Sequence, residues 1–298
     1  MGPVILTSAT TCWKPALKSA SVADSVHADV DPPAAELRIG TFVTDAITFL
    51  ERLGRLAAFA PRAVLASFTA FFRPELWLRP LYSVTIGGLP LALVTGLALG
   101  VVIWMHTRDV LARTGTGAVE YLPTFLAAAV LLELAPVGAG LIVAARTGAS
   151  LGAELASMRV SEQIDAMELL GVSTIRALVA PRIVACVFAA PLLHIFIAAT
   201  ALGSGFIAEL STGSTTYLKY DTAAVRELLL RDVVPAGLKT LAFGLVVGVT
   251  GCFAGLNARE GSEGVGRAAT ASVVACVLLV LAVDVLLVGL IKMMHQFL

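Results

Sequence analysis

Charge is what this chain has little of. Asp, Glu, Lys and Arg make up 14% of its 298 residues, hydrophobic residues make up 58%, and the mean hydropathy is +0.89. Soluble domains carry about 25% charged residues, so this composition excludes an ordinary soluble protein and indicates an integral membrane protein. The 21 basic and 21 acidic residues cancel. With no basic tract interleaved with aromatics, a nucleic-acid partner is not expected. None of the five lysines follows a glycine, so a GxxxxGK[ST] phosphate loop is absent and the chain is not its own P-loop ATPase. HExxH, GxSxG and Cys/His zinc spacings are missing as well, and Gly115-Thr116-Gly117 and Gly203-Ser204-Gly205 lack the third glycine of a dinucleotide fingerprint. Cysteine is scarce too: of four, Cys186, Cys252 and Cys276 lie inside apolar runs, where thiols act as small hydrophobes. Neither catalysis nor a resident metal or cofactor is expected of this chain.

What the chain has is long apolar runs. Five are long enough to cross about 30 Å of hydrocarbon as helices, which takes about 20 residues each. They are Leu81 to Met105, Tyr121 to Ala145, Ile183 to Ala208, Val233 to Leu256 and Ala268 to Ile291. None shows the period-two alternation of barrel strands. With the N-terminus inside, eight Lys and Arg precede the first span, four lie between Arg146 and Arg182, and two lie between Asn257 and Arg267, against six on the opposite side. The positive-inside rule therefore places the Arg146–Arg182 segment in the cytoplasm and the C-terminus outside.

Met1 to Leu37 is polar, contains Pro32-Pro33 and has no periodicity, so a disordered tail is expected there. It lacks the apolar core of a signal peptide, and Asp24, Asp29 and Asp31 weaken a transit-peptide reading. From Ile39 to Ala57 apolar residues recur at helical spacing opposite Thr41, Asp45, Glu51, Arg52 and Arg55, the pattern of a helix lying in the headgroup plane. Pro61, Pro74 and Pro80 are expected to break the path into the first span, giving an interfacial helix and elbow over residues 38–80.

Within the spans, Glu133, Lys239 and Asp284 are charges that cost about 2.5–3.5 kcal/mol each near the bilayer centre unless paired, so each should face inward. They could line or gate a substrate cavity, carry protons, or simply fix helix packing. His194, alone on an apolar span, reads as a hydrogen-bonded core residue rather than a metal ligand. Gly96 to Gly100, Gly148 to Gly152, Gly244 to Gly248 and Gly251 to Gly255 have the GxxxG spacing that lets helices approach closely, within one chain or between two.

Between the second and third runs stands a charged stretch from Arg146-Thr147-Gly148 through Glu154, Met158-Arg159-Val160-Ser161-Glu162-Gln163-Ile164-Asp165-Ala166-Met167 and Gly171 to Pro181-Arg182. With Glu133-Leu134-Ala135-Pro136 before it and Gly264-Val265-Gly266-Arg267-Ala268-Ala269-Thr270 after it, this order resembles the MlaE/YrbE permeases, the membrane subunits of Mce-associated lipid ABC transporters. The resemblance covers roughly residues 40 to 295. It implies an all-α fold with an interfacial helix and five spans, a permease dimer (two copies or a pair with a paralogue), an Mce-domain partner, and a separate ATPase that binds ATP and Mg. It also implies a coupling helix over about residues 152–170, with Glu154, Arg159, Glu162, Gln163, Asp165 and Met167 facing the ATPase and Val160, Ile164 and Met167 as an apolar stripe. Glu133, Pro136, Arg267 and Asp284 are then candidates for a lipid cavity or its gate. Two departures stand out: Leu132 where many relatives have Arg, so a charged lipid contact is expected to be missing, and Ala135 where many have Gly, which should stiffen the Pro136 kink. A proton-coupled secondary transporter using Glu133 and Asp284, or a scaffold for an Mce protein, are the alternative readings.

Overall fold

The computed structural model describes residues 34–114, 121–212, 230–258 and 261–297. All but the last four residues of the expected N-terminal tail fall outside this range. The elements are α1 (Ala34–Phe71), α2 (Pro74–Thr114), α3 (Leu122–Ala129), α4 (Ala135–Ile142), α5 (Ala149–Val160), α6 (Gln163–Leu169), α7 (Ala180–Leu210), α8 (Leu230–Leu256) and α9 (Ser262–Phe297). Three π-helical segments, Val130–Leu134, Val143–Gly148 and Ile175–Val179, join α3 to α4, α4 to α5 and precede α7. The described chain divides into a unit ending at Glu51 and one beginning at Arg52. The packing that follows is that of the second unit.

Five stretches are long and apolar enough to span a bilayer: Pro74–Arg113, Leu122–Val160, Ile175–Leu210, Val234–Leu256 and Ser262–Met293. They coincide with the five apolar runs, and all but the fourth extend beyond them. The largest correction is in span two, where helix continues past Ala145 through Arg146 to Val160. Arg146 therefore lies within a continuous helix and not at the start of a loop. Gly148 and Gly152 explain the continuation, since they let this segment lie against α9, where a Cβ on Gly152 would stand 2.8 Å from Ser272 Cβ. The Ser272 hydroxyl donates to the Gly148 carbonyl at 2.7 Å and fixes that contact.

The other GxxxG pairs also serve contacts within the chain. Gly96 and Gly100 face α7, where Cβ atoms would meet the carbonyls of Ile197 and Ala201, and Gly244 and Gly248 face the same helix at Val187 and Ile183. Rising numbers on α2 meet rising numbers on α7, so these two helices run parallel, while α8 runs antiparallel to α7. Around these contacts Leu126, Val130, Leu193, Ile197, Phe243, Val247 and Val280 form one buried core. Cys186 and Cys252 are buried in a second core with Leu155 and Ile183, and Cys276 in the first.

Pro61 and Pro80 do not interrupt their helices; only Pro74 stands at a break, at the first position of α2, where its missing N–H costs nothing. The helix that begins before the expected Ile39 continues well beyond Ala57. Ala63, Ala66 and Ala70 of α1 are buried, the last two clustering with Ala180 and Val184. Phe59 meets Phe253 at 5.6 Å, and Phe188 stacks on both Phe71 and Trp77.

Candidate functional site

Glu133, Lys239 and Asp284 converge. The Lys239 side chain, 2% exposed, donates to Glu133 Oε2 at 2.9 Å and lies 2.8 Å from Asp284 Oδ1, the latter an ion-pair contact off the hydrogen-bond line. One cation is thus shared by carboxylates from two other spans, which offsets the cost of holding each charge among apolar helices. Span two presents its glutamate from a π-helical turn, Val130–Leu134, and the sequence gives the cause. Pro136, buried two residues after that turn, has no N–H for the Leu132 carbonyl, and its ring would collide with that carbonyl in a regular α-helix. Widening the turn by one residue relieves the collision. The same arrangement recurs at Ile175–Val179, again two residues before a proline, Pro181.

Glu133 and Lys239 border a cleft of about 200 Å³ between spans two, four and five, while Asp284 contacts Lys239 without lining it. Leu132, Pro235, Ala236, Val288 and Ile291 form its apolar walls, while Glu133, Lys239 and Lys292 are its polar residues. Glu133 is 46% exposed on its side chain, and Asp284 is only 12% exposed. The cleft can therefore hold an apolar body with a charged group, the usual make-up of an amphiphile site. Arg267 is not part of it. That residue pairs with Glu263 at 2.8 Å in the first turns of α9, about 25 Å along the helix from Asp284 at 1.5 Å per residue.

At the Arg267 end of the bundle the expected helix over residues 152–170 is broken in two. Glu162 adopts φ 57°, a left-handed conformation that stops α5 and lets α6 start in a new direction. Arg159 and Asp165 clamp the corner through a 2.6 Å ion pair. Glu154 pairs with Arg182 at 2.6 Å, and Glu168 accepts from the Thr174 hydroxyl at 3.0 Å. Much of the charge in this segment is thus engaged within the chain. Of the expected apolar stripe, Ile164 is buried against the chain itself and Met167 half-buried; Gln163 is exposed. The apolar surface on offer is instead Leu169 and Leu170, 89% and 80% exposed, just before Gly171 at φ 76°. Two consecutive leucines before a glycine carry no sequence signal that separates an exposed pair from a buried one.

Sequence reasoning also missed a second polar tie. Glu209, 2% exposed, accepts from Trp104 Nε1 at 2.6 Å and lies 3.2 Å from Arg108, whose guanidinium also donates to Thr212 at 2.7 Å and sits over the Trp104 ring. This group joins the last turns of α2 and α7. His194 is buried on α7 beside the Leu131 carbonyl, and among the described residues no group of three His, Cys, Asp or Glu could hold a metal ion.

The family described as "Permease MlaE" matches residues 77–290. A probable ABC transporter permease protein of Rickettsia typhi is 32% identical over 251 residues, covering 82% of this chain and 93% of the relative. A probable ABC transporter permease protein of Synechocystis is 32% identical over 162 residues, 54% of this chain and 62% of its own. The chloroplast protein trigalactosyldiacylglycerol 1 of Arabidopsis thaliana is 35% identical over 150 residues, half of this chain and 43% of its own. Five membrane-length helices, a charge cluster joining three of them and these matches lead to one assignment: the chain belongs to the MlaE permease family, as a multi-pass membrane subunit of an ABC transporter.

Proposed function

We propose that this permease moves a phospholipid or related amphiphile between the cytoplasmic membrane and an extracytoplasmic Mce-domain protein. The observation that carries the reading is the cleft, apolar on most of its wall and bounded at one side by the paired Glu133 and Lys239. The name of the Arabidopsis relative, which contains that of a galactolipid, points the same way. Two copies, or this chain and a paralogue, form the working unit. ATP and Mg are bound by the partner ATPase, whose closure tightens on the Glu162 end and shifts the spans around the cleft. Nucleotide drives this only through differential affinity for the closed state. The excess of Lys and Arg on the Glu162 side puts that end in the cytoplasm and the C-terminus outside.

The experiment is capture of the ATPase by tagged chain, comparing wild type with Leu169→Glu plus Leu170→Glu. Both leucines are exposed, so the double variant should fold normally, and it should lose the ATPase. An ATPase bound equally by both would show that this surface does not dock it. Lipid transfer by Glu133→Gln in the assembled transporter checks the cleft: transfer equal to wild type removes Glu133 from the pathway.

A further inference from the structure

The cleft holds its charges in a fixed order. Lys239 is shared by two carboxylates, and only one oxygen of Glu133 is engaged by it. Glu133 keeps its other oxygen without a hydrogen-bond partner among the described residues, on a side chain 46% exposed in the cleft lining. With Asp284 behind it taking part of the Lys239 charge, Glu133 is left only partly neutralised in the cleft wall. Lys292 lines the same cleft from the end of α9, about 12 Å beyond Asp284 at 1.5 Å per residue. Lys292 is exposed, and among the described residues no carboxylate pairs with it. One partly neutralised anion, Glu133, and one unneutralised cation, Lys292, thus line the same cleft.

A ligand of a single charge fits this poorly. A purely anionic head group would gain Lys292 but face Glu133, which shares its lysine with Asp284. A cationic one would gain Glu133 but face Lys239 and Lys292. A head group with both charges matches each wall at once, and a primary ammonium adds N–H donors for the free carboxylate oxygen. We infer that the cleft selects a zwitterionic aminophospholipid, with its ammonium on Glu133 and its phosphate on Lys292. The inference rests on the lipid reading above and narrows it to a head-group class. Lys292 is then a specificity residue, and the walls from Leu132 to Ile291 take the apolar part without discriminating among chains.

The test is competition in mixed micelles holding equal amounts of phosphatidylethanolamine and phosphatidylglycerol with the same acyl chains. Native mass spectrometry of the purified chain counts what is retained. Wild type should retain phosphatidylethanolamine several-fold over phosphatidylglycerol, and Lys292→Arg should keep that ratio. Lys292→Glu should lose most of the phosphatidylethanolamine, while Glu133→Gln should bring phosphatidylglycerol to parity or above. Because Lys292 is exposed, its variants should remain folded, which a thermal-unfolding curve verifies. Equal retention of the two lipids by wild type, unmoved by either Lys292→Glu or Glu133→Gln, overturns the head-group inference and leaves the lipid reading standing. Folded wild-type protein that retains neither lipid overturns both.

Discussion

Replacing Lys239 with Met should be the most damaging single change at the cleft. The side chain is 2% exposed and holds two carboxylates at 2.9 and 2.8 Å. Methionine fills similar space but leaves Glu133 and Asp284 facing each other with no counter-charge. Removing one partner of a buried ion pair costs about 3–5 kcal/mol, because the remaining charge is stranded. Asp284→Asn should cost less, about 1–2 kcal/mol, since Lys239 keeps Glu133 as its counter-charge and the amide fills the same space as the carboxylate. Glu133→Gln should cost under about 1 kcal/mol, as its half-exposed side chain recovers solvation elsewhere. The double variant Lys239→Met plus Asp284→Asn should recover part of the loss, because it removes a cation and an anion together. Thermal unfolding followed with a thiol-reactive dye suits this protein, since Cys186, Cys252 and Cys276 are buried and become accessible only when the bundle opens. The refuting results are Lys239→Met as stable as wild type, or Glu133→Gln costlier than Asp284→Asn. Either would mean that the charges are not mutually neutralising.

Gly100→Leu should abolish accumulation of folded protein, because even its Cβ would run into the Ala201 carbonyl and overpacking costs upward of about 1–3 kcal/mol, whereas Gly203→Ala, with nothing within 4 Å of its new Cβ, should express like wild type in a fluorescence-detected size-exclusion assay. Arg108→Ala should lower thermal stability more than Trp104→Phe, since it removes the counter-charge of a carboxylate 2% exposed while the phenylalanine removes one donor. Glu162→Gly should raise stability by up to about 1–2 kcal/mol, as glycine takes the φ 57° conformation without its Cβ penalty. A loss of stability there would mean that the Glu162 side chain makes a contact worth more than the strain.

The order of chemistry along the chain was enough to set the number of spans. Hydrocarbon leaves a backbone no partner but itself, so any run of about 20 apolar residues must become a helix, and five such runs become five helices wherever they later pack. The same local logic makes Glu133, Lys239 and Asp284 inward-facing, because the cost of an exposed charge in lipid belongs to the residue and not to its neighbours. Which charges meet is another matter. Lys239 and Glu133 are 106 residues apart, and only the packing of spans two, four and five brings them to 2.9 Å and adds Lys292 to the same cleft. Arg267 looked equivalent in sequence and lies at the other end of α9, because position along a helix, unlike residue type, decides depth. The break at Glu162 was equally hidden, since a glutamate inside a helical pattern gives no sign of a left-handed turn. GxxxG spacing made close approach predictable, but its partners are set by which helices the rest of the bundle brings alongside, and here they are helices of the same chain.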